Sequence, residues 1–370
     1  MLIIKKGSAK HLNKFIDTYR VNNIFLVCGK TSQKKKYIKE AIDRLSKFYN
    51  TTLFNEFSSN PKYVDAVRGT LQFTKSNSQI IIAIGGGSVI DMAKLINAFQ
   101  CHKKKDYKEI VYGKIIANKK TKPMIVLPTT AGSGSEATHF AAVYLNNRKF
   151  SVASKSLLPD ISLIDQNLAI SMSSYTIACS GFDALSQAIE SYWSIGSSRK
   201  SRKFSTESIK IILKNIKKAT KKNQYALKNM MIAANLAGKA INITKTTAPH
   251  ALSYAITSLA GLPHGHAVAI TLGKFFKINY LSNKINSRQN KRTVLLRMNS
   301  LYNILGVKNY TEAEYKWYKL MMSCGLESNF KKTNLHHYKT IDFITSSVNL
   351  ERLANHPVKL SNKDLKNIFK

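Results

Sequence analysis

The run Ile80-Ile81-Ile82-Ala83-Ile84, followed at once by Gly85-Gly86-Gly87-Ser88, constrains the fold more than any other feature of the chain. Five consecutive apolar residues leave no polar face, the pattern of a strand buried on both sides of a parallel sheet. Parallel strands need long crossovers, and the segment after the glycines, Val89–Phe99, returns to helical period. The same alternation surrounds it. Asn23–Val27 reads as a strand, Lys36–Phe48 as a helix with apolar positions at Ile38, Ile42 and Leu45, and Met124–Leu127 as another buried strand. The last strand-like stretch is Leu158–Asp165. This pattern predicts a doubly wound, Rossmann-like α/β domain over residues 1–162. Helical period then dominates in Ser174–Trp193, Ser205–Ile216, Tyr225–Ile241 and Ala248–Leu259, which predicts an all-helical domain over residues 163–370.

Charge narrows the partners. With 58 Lys+Arg against 20 Asp+Glu, the net charge is +38. The basic clusters Lys34–Lys36, Lys103–Lys105 and Lys119–Lys120 are scattered and not interleaved with aromatic residues, so they read as solvated surface and no specific nucleic-acid partner is expected. A decayed enzyme reused as a basic nucleic-acid-binding protein is the alternative from another class. No apolar run has the length of a membrane span, and the first residues lack a secretory pattern. Cys28, Cys101, Cys179 and Cys324 form no CxxC pair. A cytoplasmic protein with reduced thiols and no membrane partner is expected.

Three constellations carry chemistry. Gly85-Gly86-Gly87-Ser88 sits where a buried strand turns into a helix, a place where missing side chains let a diphosphate approach the first-turn amides. Ser88 and Asp91 have capping-box spacing. The second, from Pro128 to Thr138, packs hydroxyls and glycines after the strand Met124–Leu127. Its Thr129, Thr130, Ser133 and Ser135 suit hydrogen bonds to pyrophosphate and ribose. The third lies in the helical half. Asp183 and Gln187 are one turn apart in GFDALSQAIE, His250 and Tyr254 are one turn apart in PHALSY, and His264 and His266 follow in LPHGHAV. A carboxylate, an amide oxygen and two imidazoles make a mixed N/O site for Fe²⁺ or Zn²⁺. Singly, each residue also fits an ordinary helix-surface pair or a buried core histidine.

GGGSVIDMAK, LPTTAGSGSEAT, GFDALSQAIESY and PHALSY…LPHGHAV stand in the order that resembles the iron-containing (group III) alcohol dehydrogenases, over roughly residues 20–280. The resemblance implies a dehydroquinate-synthase-like fold, with a nucleotide-binding α/β domain, a helical domain, and an active site in the cleft between them. It also implies self-association, as a dimer. Carried over by position, the family's metal ligands fall on Asp183, Gln187, His250 and His264. Gln187 stands where the family usually has His, so this ligand is a neutral oxygen. Tyr254 occupies the place of a proton-relaying His, and Tyr254 and His266 are the catalytic candidates. Gly29, with Lys30 behind it, replaces the acidic residue that grips a ribose 2′-OH, so NADPH as well as NADH is expected. Within the family, the stretch SQAIESYWS and the segment from KTTAPHALSY to GLPHGHAVAITL resemble phosphonoacetaldehyde reductases. That implies NAD(P)H-dependent, metal-assisted reduction of a small anionic aldehyde, phosphonoacetaldehyde to 2-hydroxyethylphosphonate, with Lys245 as the cation for the substrate. Oxidoreduction of another small alcohol or hydroxy acid is the alternative inside the family.

Overall fold

The computed structural model describes residues 1–4, 7–119, 121–146, 148–286 and 288–369. Lys120 of the basic cluster Lys119–Lys120 therefore lies outside the described residues. The chain divides into two compact units, Met1–Met172 and Ser173–Lys370.

Among the described residues, eight strands belong to the first unit: β1 (Leu2–Ile4), β2 (Asn23–Cys28), β3 (Asn50–Phe54), β4 (Ile80–Gly85), β5 (Met124–Pro128), β6 (Phe140–Leu145), β7 (Arg148–Ala153) and β8 (Ile161–Ile164). Six form one sheet in the order β1-β8-β5-β4-β2-β3, parallel throughout, with Ile24 opposite Ile80 and Gly85 opposite Pro128. β6 and β7 form a separate antiparallel hairpin, which the sequence pattern does not announce. Alternate residues of the central strands serve two cores. Phe25, Val27, Ile81, Ala83 and Val126 face one side, and Ile24, Leu26, Ile80, Ile82 and Ile125 the other. Each isoleucine of β4 is completely buried, worth about 1.5–3 kcal/mol apiece.

Helices cover both faces. α1 (Lys36–Phe48) packs Ile38, Ala41 and Leu45 into one core, leaving Ile42 only partly buried. α2 (Tyr63–Lys75) and α3 (Gly87–Phe99) pack Ala66, Phe73, Ile90 and Ile96 into the other. The chain thus leaves β2 for β3 on one side and returns as β4 on the other, which makes the β2–β4 junction the topological switch point. The expected division between residues 162 and 163 runs through β8. That strand pairs with both β1 and β5, so the sheet keeps it in the first unit.

The second unit is helical: α4 (Ser174–Trp193), α5 (Arg199–Thr220), α6 (Gln224–Thr244), α7 (Ala248–Ala260), α8 (His264–Leu281), α9 (Lys291–Leu305), α10 (Tyr310–Ser323) and shorter pieces beyond. α4 is its hub, packed against α5, α6 and α8. Sixteen of its residues, Ile177 to Cys179 and Gly181 to Trp193, are buried, so the polar ones among them must find partners inside. Among the described residues no helix is long and apolar enough to cross a membrane.

Candidate functional site

In the first unit, Gly29, Gly85–Ser88 and Thr129–Ser135 follow β2, β4 and β5, three neighbouring strands, and so collect at the carboxyl edge beside the switch point. The two glycine-bearing loops are tied by a hydrogen bond from Thr129 N to Gly85 O (3.0 Å). A Cβ added at Gly85 would lie 2.3 Å from Val89 Cγ2, one at Gly86 3.2 Å from Thr130 Cγ2, and one at Gly87 2.4 Å from Ser133 Oγ. None of the three adopts a positive φ; the left-handed residue of this edge is Gly134, at +60°. The glycine triplet is therefore required for close approach of the loops and of the first turn of α3, not for positive φ.

The expected Ser88–Asp91 capping box is not formed. α3 starts at Gly87 with Gly86 as its N-cap and no side-chain cap. The Asp91 carboxylate instead accepts hydrogen bonds from Ser135 Oγ and from Ala142 N (3.0 Å). One turn on, the buried Lys94 ammonium donates to the carbonyls of Ser135 (2.6 Å), Thr138 (2.8 Å) and Phe140 (3.0 Å). Burial pushes this ammonium down to about 8 and the Asp91 carboxyl up, each against the pull of the other. Asp91 and Ser135, expected to touch the nucleotide, are thus occupied in clamping residues 135–142 onto α3. The sequence reading missed Lys94, although a lone lysine in the apolar stretch IDMAKLI is its signal.

In the second unit, Asp183 and Gln187 project from one face of α4, both buried. His250 sits in the first turn of α7, and His264 opens α8. The close approach of α8 to α4 depends on Gly265, because a Cβ there would lie 1.9 Å from Cys179 O and 2.9 Å from Asp183 Cβ. Ligand-capable atoms of Asp183, His250 and His264 consequently lie within 4.8 Å of one another. His250 Nε2 is 3.3 Å from Asp183 Oδ1. Two ligands about 2.0–2.1 Å from one tetrahedral ion are themselves about 3.4 Å apart, so this pair already has the spacing of a shared cation. Gln187 stands one turn along the same helix face and is buried.

Glu190, unremarked in the sequence, lies under this cluster. It is fully buried, and it accepts from His250 Nδ1 as well as from Thr247 N (2.7 Å) and Thr247 Oγ1 (2.8 Å). Burial lowers the proton affinity of His250, but the charges and hydrogen bonds of Glu190 and Asp183 outweigh it and raise the imidazole to about 10. The field that draws a proton there also draws a divalent cation. Ser253 Oγ donates to His250 O (2.8 Å) and meets His264 Nδ1 at 3.3 Å, and the Tyr254 ring stacks on His264 at 5.9 Å.

Two expected residues are placed differently. His266 is buried with Nδ1 on Tyr175 Oη (3.0 Å) and Nε2 on Glu327 O (2.6 Å), so one nitrogen ties α8 to α4, the other ties it to the loop after α10, and neither is left for proton transfer. Lys245 caps α6 at φ +60° and its ammonium pairs with the Glu351 carboxylate at the surface.

A family model described as iron-containing alcohol dehydrogenase matches residues 1–166, and one described as Fe-containing alcohol dehydrogenase family, C-terminal, matches residues 177–370. Aldehyde-alcohol dehydrogenase 2 of Entamoeba histolytica is 27% identical over 70% of this chain but 31% of its own length, so the chain spans about a third of that relative. Phosphonoacetaldehyde reductase of Streptomyces viridochromogenes is also 27% identical, over 70% of this chain and 68% of its own. Equal identity to proteins of different names does not single out the phosphonoacetaldehyde branch. Sulfoacetaldehyde reductase from Bifidobacterium kashiwanohense, solved in complex with NAD⁺, superposes with a TM-score of 0.87 at 25% identity, over 100% of this chain and 96% of that one. Both halves of the chain match the same family in sequence, and the fold agrees: the protein is a member of the iron-containing alcohol dehydrogenase family.

Proposed function

We propose that this chain reduces a small aldehyde to a primary alcohol with NADPH or NADH, using a divalent metal held by Asp183, Gln187, His250 and His264. The observation that carries the reading is the convergence of Asp183, His250 and His264, from three different helices, to within 4.8 Å. A bound Fe²⁺ or Zn²⁺ supplies Lewis acidity to the carbonyl, and the nicotinamide supplies the hydride. The chain's own residues do the rest. Gly29, Gly85–Ser88, Thr130 and Ser133 form the carboxyl-edge cradle for the diphosphate, where the N-terminus of α3 favours negative charge. Asp91, Lys94 and Ser135 hold that cradle in shape. Tyr254, half-buried against His264, holds the hydroxyl we assign to protonating the nascent alcohol oxygen. The balance is one aldehyde, one NAD(P)H and one proton giving one alcohol and one NAD(P)⁺.

For the substrate we propose an anionic aldehyde, with phosphonoacetaldehyde first. The phosphonoacetaldehyde and sulfoacetaldehyde reductases among the relatives, and the +38 charge that steers anions, support this choice. The test is NADPH and NADH consumption against neutral, carboxylated, sulfonated and phosphonylated aldehydes, with metal content measured on the same sample. Asp183→Ala and His264→Ala are expected to lower turnover at least about 10³-fold while nucleotide binding persists. Near-native rates in both variants would refute the metal reading. Fastest turnover of a neutral aldehyde would refute the anionic one.

A further inference from the structure

Glu190 stands seven residues after Asp183 and three after Gln187, hence on the same face of α4. A carboxylate buried so completely needs several donors, and Glu190 has three. Thr247 supplies its backbone N–H (2.7 Å) and its hydroxyl (2.8 Å) to Oε2, and His250 supplies Nδ1–H to Oε1. The direction of the chain is unambiguous at its far end. Trp193 Nε1, which can only donate, donates to Thr247 Oγ1 (3.0 Å), so the Thr247 hydroxyl spends its proton on Glu190. Glu190, an acceptor only, then requires a proton on His250 Nδ1. The neutral imidazole is thereby left with its lone pair on Nε2, the nitrogen that faces Asp183 at 3.3 Å.

We propose that Glu190 is a positioning residue for the metal centre, acting through His250: it fixes the Nδ1–H tautomer, locks the ring orientation and makes Nε2 a stronger donor to a divalent cation. This inference rests on the metal reading above and adds the group that makes one of its ligands competent. A hydrogen-bonded carboxylate behind a ligating imidazole is worth roughly 10–100-fold in metal affinity.

Glu190→Gln is the discriminating substitution, being isosteric and neutral. Two donors on Thr247 hold the new amide oxygen on their side, which turns the amide NH₂ towards His250 Nδ1. That donor forces the proton onto Nε2 and blocks the lone pair. Zn²⁺ alone is the probe, titrated into metal-stripped full-length protein in competition with a chromophoric chelator. The wild type is expected to bind one Zn²⁺ and Glu190→Gln to bind it 10–100-fold more weakly. In ¹⁵N-histidine spectra of the Zn²⁺-loaded wild type, His250 is expected to coordinate through Nε2 with a protonated Nδ1. This measurement needs no variant, so it stands even if Glu190→Gln does not fold. Equal Zn²⁺ affinity in the two proteins, or coordination through Nδ1, would overturn the role of Glu190 while leaving the metal reading intact. Failure of the wild type to bind Zn²⁺ or Fe²⁺ at all would overturn the metal reading itself.

Discussion

Gly265→Ala tests how the site is assembled. The added methyl would sit 1.9 Å from Cys179 O, whereas ordinary contact begins near 3.4 Å, so α8 and α4 must separate locally by about 1.5 Å. Those two helices carry His264 and Asp183, whose ligand atoms now lie within the 4.8 Å that also includes His250. Metal–ligand distances tolerate about 0.2 Å, so the displacement is several times what a coordination sphere absorbs. The fold suffers less. Overpacking costs about 1–3 kcal/mol, and replacing a helical glycine by alanine returns about 1 kcal/mol. The variant should therefore remain folded, with its unfolding midpoint lowered by a few degrees, yet bind Zn²⁺ at least about 100-fold more weakly. Chelator competition and thermal unfolding of the stripped protein measure the two effects separately. Wild-type Zn²⁺ affinity in Gly265→Ala would show that the helix approach does not set the ligand geometry.

Two further outcomes follow from buried charges. Lys94→Met removes the donor shared by the carbonyls of Ser135, Thr138 and Phe140 and leaves Asp91 without its cation; a loss of about 3–5 kcal/mol in urea unfolding is expected, with weakened NADPH binding, and an unchanged midpoint would remove the clamp from the account. His356 is fully buried against the rings of Trp193 and Phe275, and burial drives its imidazole from 6.5 down to about 3. Between those values the unfolded chain binds a proton that the folded one does not, so this residue lowers stability as pH falls through the window. Between pH 7.5 and 5 the loss is about 2 kcal/mol. It is read as the change with pH in the stability difference between wild type and His356→Leu, and a pH-independent difference would refute it.

Much of the architecture is local in origin and so was legible. Lys36–Phe48 and Ser174–Trp193 are helices with the boundaries their periodicity predicts, and the isoleucine run is the central strand β4. β1, with three residues, and the β6–β7 hairpin carried too little pattern to find. The site was legible only in part. Asp183 with Gln187, and His250 with His264, could be named from motifs, but Trp193 donating to Thr247, and Thr247 to Glu190, is a hydrogen-bond chain that spans 57 residues of sequence. Lys94 and Gly265 were passed over because a lysine in a helix and a glycine between two histidines have ordinary explanations until their neighbours are known.

What the residues determine by themselves is periodicity: which segments have two apolar faces, which have one, and where a chain without side chains must turn. Local sterics and burial suffice for that, and they set the parallel sheet, the helical half and the helix faces that bear Asp183 and His250. Only the tertiary structure decided which buried polar group answers which. It turned Asp91 from the nucleotide to Ser135, His266 from a catalytic candidate to a tie between Tyr175 and Glu327, and Glu190 from an anonymous helix residue to the partner of His250. The reason is that a hydrogen bond depends on a separation of about 3 Å between atoms that the sequence places dozens of residues apart, and no periodicity encodes that distance.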